Sequence, residues 1–97
     1  MLFRSKQEIE AVRKLDADLV EWRGDCFSGI MEDDLRSEAM KMICSALPKT
    51  PVLFTFRTIH EGGSMDVSWQ EYLELNKKVV QSKMVDLIDV EIGRAHV

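Results

Sequence analysis

An α/β fold with a parallel sheet is predicted from three observations. Apolar residues at helical spacing alternate with short apolar runs, each run ends in ionisable groups, and the connections between them are short. The order reads helix, strand, helix, strand, helix, strand, and such short connections fit neighbouring parallel βαβ units. The 97 residues hold at most one small domain, with no repeat or low-complexity linker.

Ile9, Val12 and Leu15 recur at helical spacing, and Ala17 to Arg23 then reads as a short strand entering a loop at Gly24. Met31, Leu35, Ala39, Met42, Ile43 and Ala46 form one three-four stripe, which predicts a second helix that Pro48 stops. The run Glu32 to Asp34 reads as the acidic first turn of that helix, and the six methionines read as core filler. Pro51 opens a second buried strand, Val52 to Arg57, which leads into a loop at Gly62 and Gly63. Ser68 followed by Glu71 has the spacing of a capping box, so a third helix should start there and carry Tyr72, Leu73, Leu75, Val79 and Val80 inward. The last strand is expected over Val85 to Glu91.

Composition narrows the function. With 45% hydrophobic and 31% charged side chains the chain is a soluble globular type, and a net charge of −4 gives no general attraction to nucleic acid or anionic membrane. No stretch approaches the roughly eighteen apolar residues of a membrane span, and the start has no apolar core of the kind a secretory signal requires. A small-molecule partner, no nucleic acid, no membrane and a cytoplasmic location are therefore expected. Cys26 and Cys44 read as reduced thiols; a metal site is the weaker reading, since neither has a CxxC or CxH partner.

The chemistry is expected where the strands end. Glu21 and Arg23 close the first strand, Arg57 the second, and Asp89 and Glu91 the third. A spacing of two puts Glu21 and Arg23 on one face, above Leu19, and in α/β folds that end of the sheet is where ligands bind. Ion pairs closing the sheet are the plain structural alternative. Carboxylates beside guanidinium groups suit a polyhydroxylated anionic metabolite, because carboxylates accept from hydroxyls and arginine donates in a fixed fork. His60, alone in a loop beside Glu61, reads as solvated, and Gly62-Gly63 lacks the rest of a phosphate-binding motif.

Several blocks look familiar in order and spacing. Asp18 to Arg23 (DLVEWR), Leu47 to Arg57 (LPKTPVLFTFR) with Glu61 to Gly63, Glu71 to Leu73 with Leu75-Asn76, and Val85 to Glu91 (VDLIDVE) resemble type I 3-dehydroquinate dehydratases. The resemblance runs from about Gln7 to Glu91. It implies a fragment of a (β/α)8 TIM barrel with about three parallel strands and alternating helices. The implied reaction is dehydration of 3-dehydroquinate to 3-dehydroshikimate, in the shikimate pathway, through a lysine imine with a histidine moving protons, and it uses no metal or organic cofactor. Glu21, Arg23 and Arg57 fall on substrate-contacting positions with Trp22 in the same block, and Glu61 falls on the carboxylate that supports the catalytic histidine. His60 stands at a variable position, while Lys77, Lys78 and Lys83 match neither the imine lysine nor that histidine. Lys83 takes the place of a helix-ending glycine, a substitution expected to cost about 1 kcal/mol of backbone strain.

The domain is expected over residues 6–91. Glu91 to Val97 matches what a common sequencing-library adapter encodes when joined to one native base, and Met1 to Ser5 matches its reverse complement with GTG read as a start. Residues 1–5 and 92–97 are therefore expected to be translated adapter. The fragment alone is expected to be inactive. A small α/β module that binds an anionic metabolite without catalysis is the alternative, and a bifunctional or homodimeric parent is left open.

Overall fold

The computed structural model describes residues 2–3, 6–13, 18–59 and 62–90. Strand β1 (Leu2–Phe3), helix α1 (Lys6–Arg13), strand β2 (Val20–Arg23), helix α2 (Asp33–Ala46), strand β3 (Val52–Thr55), helix α3 (Trp69–Ser82) and strand β4 (Leu87–Asp89) follow one another. The strands form one sheet in the order β1-β2-β3-β4, with every pairing parallel. Helix and strand alternate as the spacing predicts, and the short β1 is an addition to the three expected strands. Leu15, and Glu91 at the end of the third expected strand, lie outside the described residues.

The observed strands are shorter than the apolar runs, for identifiable reasons. The Val52 N–H donates to the Asp86 carboxylate at 2.8 Å, and the Asp86 N–H donates to the Val52 carbonyl at 3.0 Å. This clasp precedes the ladder, so β4 starts only at Leu87. After Thr55 the backbone leaves the sheet and Phe56 turns into the core, edge-on to Tyr72 at 6.1 Å.

One face of the sheet holds the stability. Val20, Trp22, Val52 and Phe54 join Met40 and Ile43 of α2, Tyr72, Leu75 and Val79 of α3 and Ile9 of α1 in a single buried cluster. Burial of side chains of this size contributes about 1.5–3 kcal/mol each. Methionine filler is borne out at Met40, which is buried, and at Met31, Met65 and Met84, which pack against the cluster.

Helix α3 starts as its sequence predicts. The Ser68 hydroxyl accepts from the Glu71 N–H at 3.0 Å, and Glu71 accepts from the Ser68 N–H at 2.8 Å, a reciprocal capping box. Its buried stripe is Tyr72, Leu75, Asn76 and Val79. Leu73 and Val80, expected inward, are 46% and 51% exposed, because one residue beyond Tyr72 and Val79 is about 100° around a helix. Leu35 of α2 is likewise exposed; the buried neighbour is Arg36, which donates to the Ile30 carbonyl at 3.0 Å and pairs with Asp33 in the acidic first turn. The helix ends at Lys83, in the left-handed region at φ 61° and ψ 19°.

Candidate functional site

The alternation of β2 decides which side chains are available for chemistry. Val20 and Trp22 enter the core, so Glu21 and Arg23 point to the other face. The parallel register then aligns Arg23 with Thr55 and Thr55 with Asp89, one residue from each strand in a row near the carboxyl ends. Glu21, one layer below, accepts a hydrogen bond from the Thr55 hydroxyl at 2.6 Å. Arg57, just beyond β3, pairs with Asp89 at 2.9 Å, and each side chain is 38% exposed. An ion pair this open to water contributes only about 0–1 kcal/mol, so a ligand carboxylate could replace Asp89 on the Arg57 fork at little cost.

A buried carboxylate organises the top of this wall. Asp25 is 2% exposed and lies in the 3-10 turn Gly24–Cys26 that follows β2. Arg23 donates to it twice, from Nε at 2.9 Å to Oδ1 and from Nη2 at 2.7 Å to Oδ2. The N–H groups of Arg57 and Ser64 donate to the same two oxygens, each at 3.2 Å. Burial pushes the Asp25 carboxyl up, but the Arg23 hydrogen bonds and the two backbone donors outweigh it and hold the group below its ordinary range. The Arg23 guanidinium is raised, chiefly by its hydrogen bonds to Asp25 and against the effect of burial.

Glycines make the turn and loop possible. A Cβ on Gly24 would strike the Phe54 ring, and one on Gly63 would overlap the Arg57 carbonyl. Gly62 has a φ of +84°, open to glycine without strain. The Gly63 N–H donates to the Thr58 carbonyl at 2.8 Å, folding the loop back onto the end of β3 beside Asp25.

The predicted site residues separate into three groups. Glu21, Arg23, Arg57 and Asp89 gather at one end of one face. Trp22 does not join them: it is 3% exposed on the opposite face, 5.2 Å from Phe54 and 6.5 Å from Phe27 between ring centroids, so it backs the strand from the core. Glu61, with His60 beside it, and Glu91 lie outside the described residues. Lys78 pairs with Asp33 at 3.2 Å. Lys83 closes α3, just before β4 begins. Both cysteines are free thiols, and burial first, then Asp86, pushes Cys44 up. Among the described residues no three His, Cys, Asp or Glu side chains gather as a metal cluster, and no helix is long and apolar enough to cross a membrane.

Asp25 and Thr55 were missed by sequence reasoning. Asp25 carried a usable signal: a carboxylate two residues beyond a strand-end arginine, separated by one glycine, can turn back onto that arginine. Thr55 looks like any strand threonine until the register sets it beside Glu21.

A parallel α/β sheet with carboxylates and guanidinium groups at its strand ends is a metabolite-binding architecture of the α/β enzyme class. The model of the type I 3-dehydroquinase family matches residues 2–96, and the chain belongs to that family. A 3-dehydroquinate dehydratase of Listeria monocytogenes is 42% identical over 87 residues, covering 90% of this chain and 34% of the relative. One from Bacillus velezensis is 41% identical over 93 residues, covering 94% and 37%. Among solved structures, the type I enzyme of Clostridium difficile with covalently modified comenic acid superposes with a TM-score of 0.82 at 34% identity, over 87% of this chain and 33% of that one. The Geobacillus kaustophilus dehydratase gives a TM-score of 0.84 at 29% identity, over 91% and 35%. The chain thus spans about a third of the length of the relatives it matches.

Proposed function

We propose that this chain is the substrate-holding wall of a type I 3-dehydroquinate dehydratase, in which a (β/α)8 barrel removes water from 3-dehydroquinate to give 3-dehydroshikimate. The observation that carries the reading is the gathering of Glu21, Arg23 and Arg57 at the carboxyl end of one sheet face in a chain of this family. Arg57 offers a planar fork to the substrate carboxylate, with Asp89 as the partner it releases. Glu21, oriented by Thr55, accepts from a ring hydroxyl, and Arg23 donates to another oxygen. Trp22 supports the wall from behind.

The covalent step belongs to a lysine and a histidine on parts of the barrel that this chain does not include. The lysine amine condenses with the substrate ketone and releases water. The resulting protonated imine acidifies the adjacent C–H, the histidine removes that proton, and the neighbouring hydroxyl leaves as water once protonated. Hydrolysis of the imine returns the lysine. Glu61, in the role the family pattern gives it, would hold the histidine tautomer. No metal or organic cofactor is needed, since the imine is the electron sink. A bound small-molecule substrate and a cytoplasmic location fit this reading.

We also propose that residues 1–5 and 92–97 are translated adapter, against a family-model match that runs over residues 2–96.

Borohydride trapping tests the reaction. The full-length enzyme carrying this segment should retain substrate covalently on one lysine after reduction, and that lysine should lie outside residues 1–97. The 97-residue chain should trap nothing. An adduct on Lys77, Lys78 or Lys83 would overturn the assignment of the covalent step.

A further inference from the structure

Arg23 and Arg57 sit on different strands, yet a ligand that uses both needs them in fixed relation. A single side chain connects them. Asp25 takes both nitrogens of one Arg23 edge, at 2.9 and 2.7 Å, and the backbone N–H of Arg57 at 3.2 Å. The Ser64 N–H, also at 3.2 Å, brings the far end of the loop after β3 to the same carboxylate.

We propose that Asp25 is a positioning residue of the substrate wall: one buried carboxylate that orients Arg23 and anchors the backbone at Arg57 and at Ser64. The inference rests on the reading of Arg23 and Arg57 as substrate-holding groups.

Three features support it. First, the contact is side-on: Nε and one Nη2 hydrogen face Asp25, which aims the rest of the guanidinium, a planar group with five donors, away from the turn. A monodentate contact would leave the plane free to rotate. Second, Asp25 is buried while its arginine partner is only partly so, with side-chain exposures of 0% and 18%, which is the arrangement of a fixed anchor holding an accessible donor. Third, each oxygen accepts once from Arg23 and once from backbone, and Oδ2 also from the Cys26 thiol at 3.9 Å, so movement of the carboxylate disturbs the arginine and the loop together. The close approach of Gly63 to the Arg57 carbonyl makes that loop path narrow and keeps Ser64 within reach.

The test uses the full-length enzyme. Asp25→Asn keeps the size and one acceptor oxygen but removes the charge and the matched pair of acceptors. It should raise KM for 3-dehydroquinate by roughly tenfold to a hundredfold, as expected for losing a charged hydrogen-bond partner, and change kcat by no more than about threefold. On an Arg23→Ala background the same change should raise KM by less than about threefold, because the group through which Asp25 acts is gone. An unchanged KM in the single variant, or an equal effect on both backgrounds, overturns the proposal; so does an equal fall in kcat alone. If Asp25→Asn does not fold, Asp25→Glu decides by the same criteria, since it keeps the charge and displaces it by one methylene.

Amide hydrogen exchange on the same variants separates this inference from the reaction it rests on. Faster exchange at Arg57 and Ser64, with the α2 and α3 amides unchanged, supports the anchoring even if the wild-type enzyme fails to turn over 3-dehydroquinate. Unchanged exchange at both overturns the anchoring even in a fully active enzyme.

Discussion

Replacing Lys83 by glycine should leave the domain more stable than replacing it by alanine, without touching its chemistry. Lys83 ends α3 at φ 61° and ψ 19°, and its N–H donates to the Val80 carbonyl at 3.2 Å. A Cβ in this left-handed region costs about 1–2 kcal/mol, and glycine removes that cost. Against it, glycine adds unfolded-chain freedom of about 0.4–1 kcal/mol. The lysine charge at the helix carboxyl end is worth about 0.3–1 kcal/mol at low salt and is lost in any neutral variant. Lys83→Ala isolates the backbone effect, since it loses the charge and keeps the Cβ. Glycine should therefore exceed alanine by about 1 kcal/mol, and Lys83→Pro should fall well below both, because proline cannot reach a positive φ. Urea unfolding of the full-length enzyme, compared at constant m, measures the differences. Kinetics should not change, because the helix ends where β4 begins, at the end of the sheet opposite the charged row. Alanine equal to or more stable than glycine would refute the backbone argument.

Arg57→Ala should lower kcat/KM of the full-length enzyme by roughly 10–100-fold, and Arg57→Lys should recover only part of it, because a point charge does not reproduce the fork; steady-state kinetics distinguishes the two. Gly63→Ala should both destabilise, by about 1–3 kcal/mol, and raise KM, since its Cβ overlaps the Arg57 carbonyl and must displace that residue; unfolding and kinetic measurements on one preparation check the pairing of effects. The Asp25 carboxyl is held below its unfolded value, so the stability it contributes is complete above the ordinary carboxylate range and is lost as pH falls through the lowered folded value. Unfolding midpoints of wild type should thus fall on acidification below about pH 4, and Asp25→Asn should flatten that limb. The isolated 97-residue chain should be weakly cooperative in urea and prone to associate; a sharp two-state transition of a monomer would favour the self-sufficient binding module instead.

Legibility in the sequence followed how locally each feature is determined. The α3 cap was legible because Ser68 and Glu71 satisfy each other within one turn, and the left-handed end at Lys83 was legible from the family pattern. The inward stripe of α3 was read one position too wide, because Leu73 and Val80 are apolar like the buried residues beside them. Hydrophobicity states what a side chain tolerates, while helix geometry decides which face it occupies. The strand-end cluster was visible as residue types, yet its partners were not. Thr55 reaches Glu21 only through the β2–β3 register, and Asp25 meets Ser64 only because the loop folds back over Gly63. Such contacts depend on tertiary closure. Trp22 shows the reverse: the block containing it suggested a site residue, but strand alternation sends its ring to the core.

That alternation also explains why one strand serves two ends. The core-facing residues of β2 and β3 are sealed, while Leu87 on the other face is 53% exposed and the charged row stands beside it. Charged side chains on the face opposite the core take their orientation from neighbouring elements. In β2 that orientation comes from the next turn, at Asp25; in β3 it comes from β4, at Asp89. The two devices differ in strength. Asp25 is enclosed and accepts from Arg23 twice, from two backbone N–H groups and from the Cys26 thiol, so it holds Arg23 continuously. Asp89 is partly exposed and meets Arg57 in one ion pair, so its hold on Arg57 is the weaker of the two. If Arg23 and Arg57 hold substrate as proposed, a fixed donor beside an exchangeable one would give the wall a preset hydroxyl contact and a carboxylate contact that forms on binding, the division expected of a substrate that carries both groups.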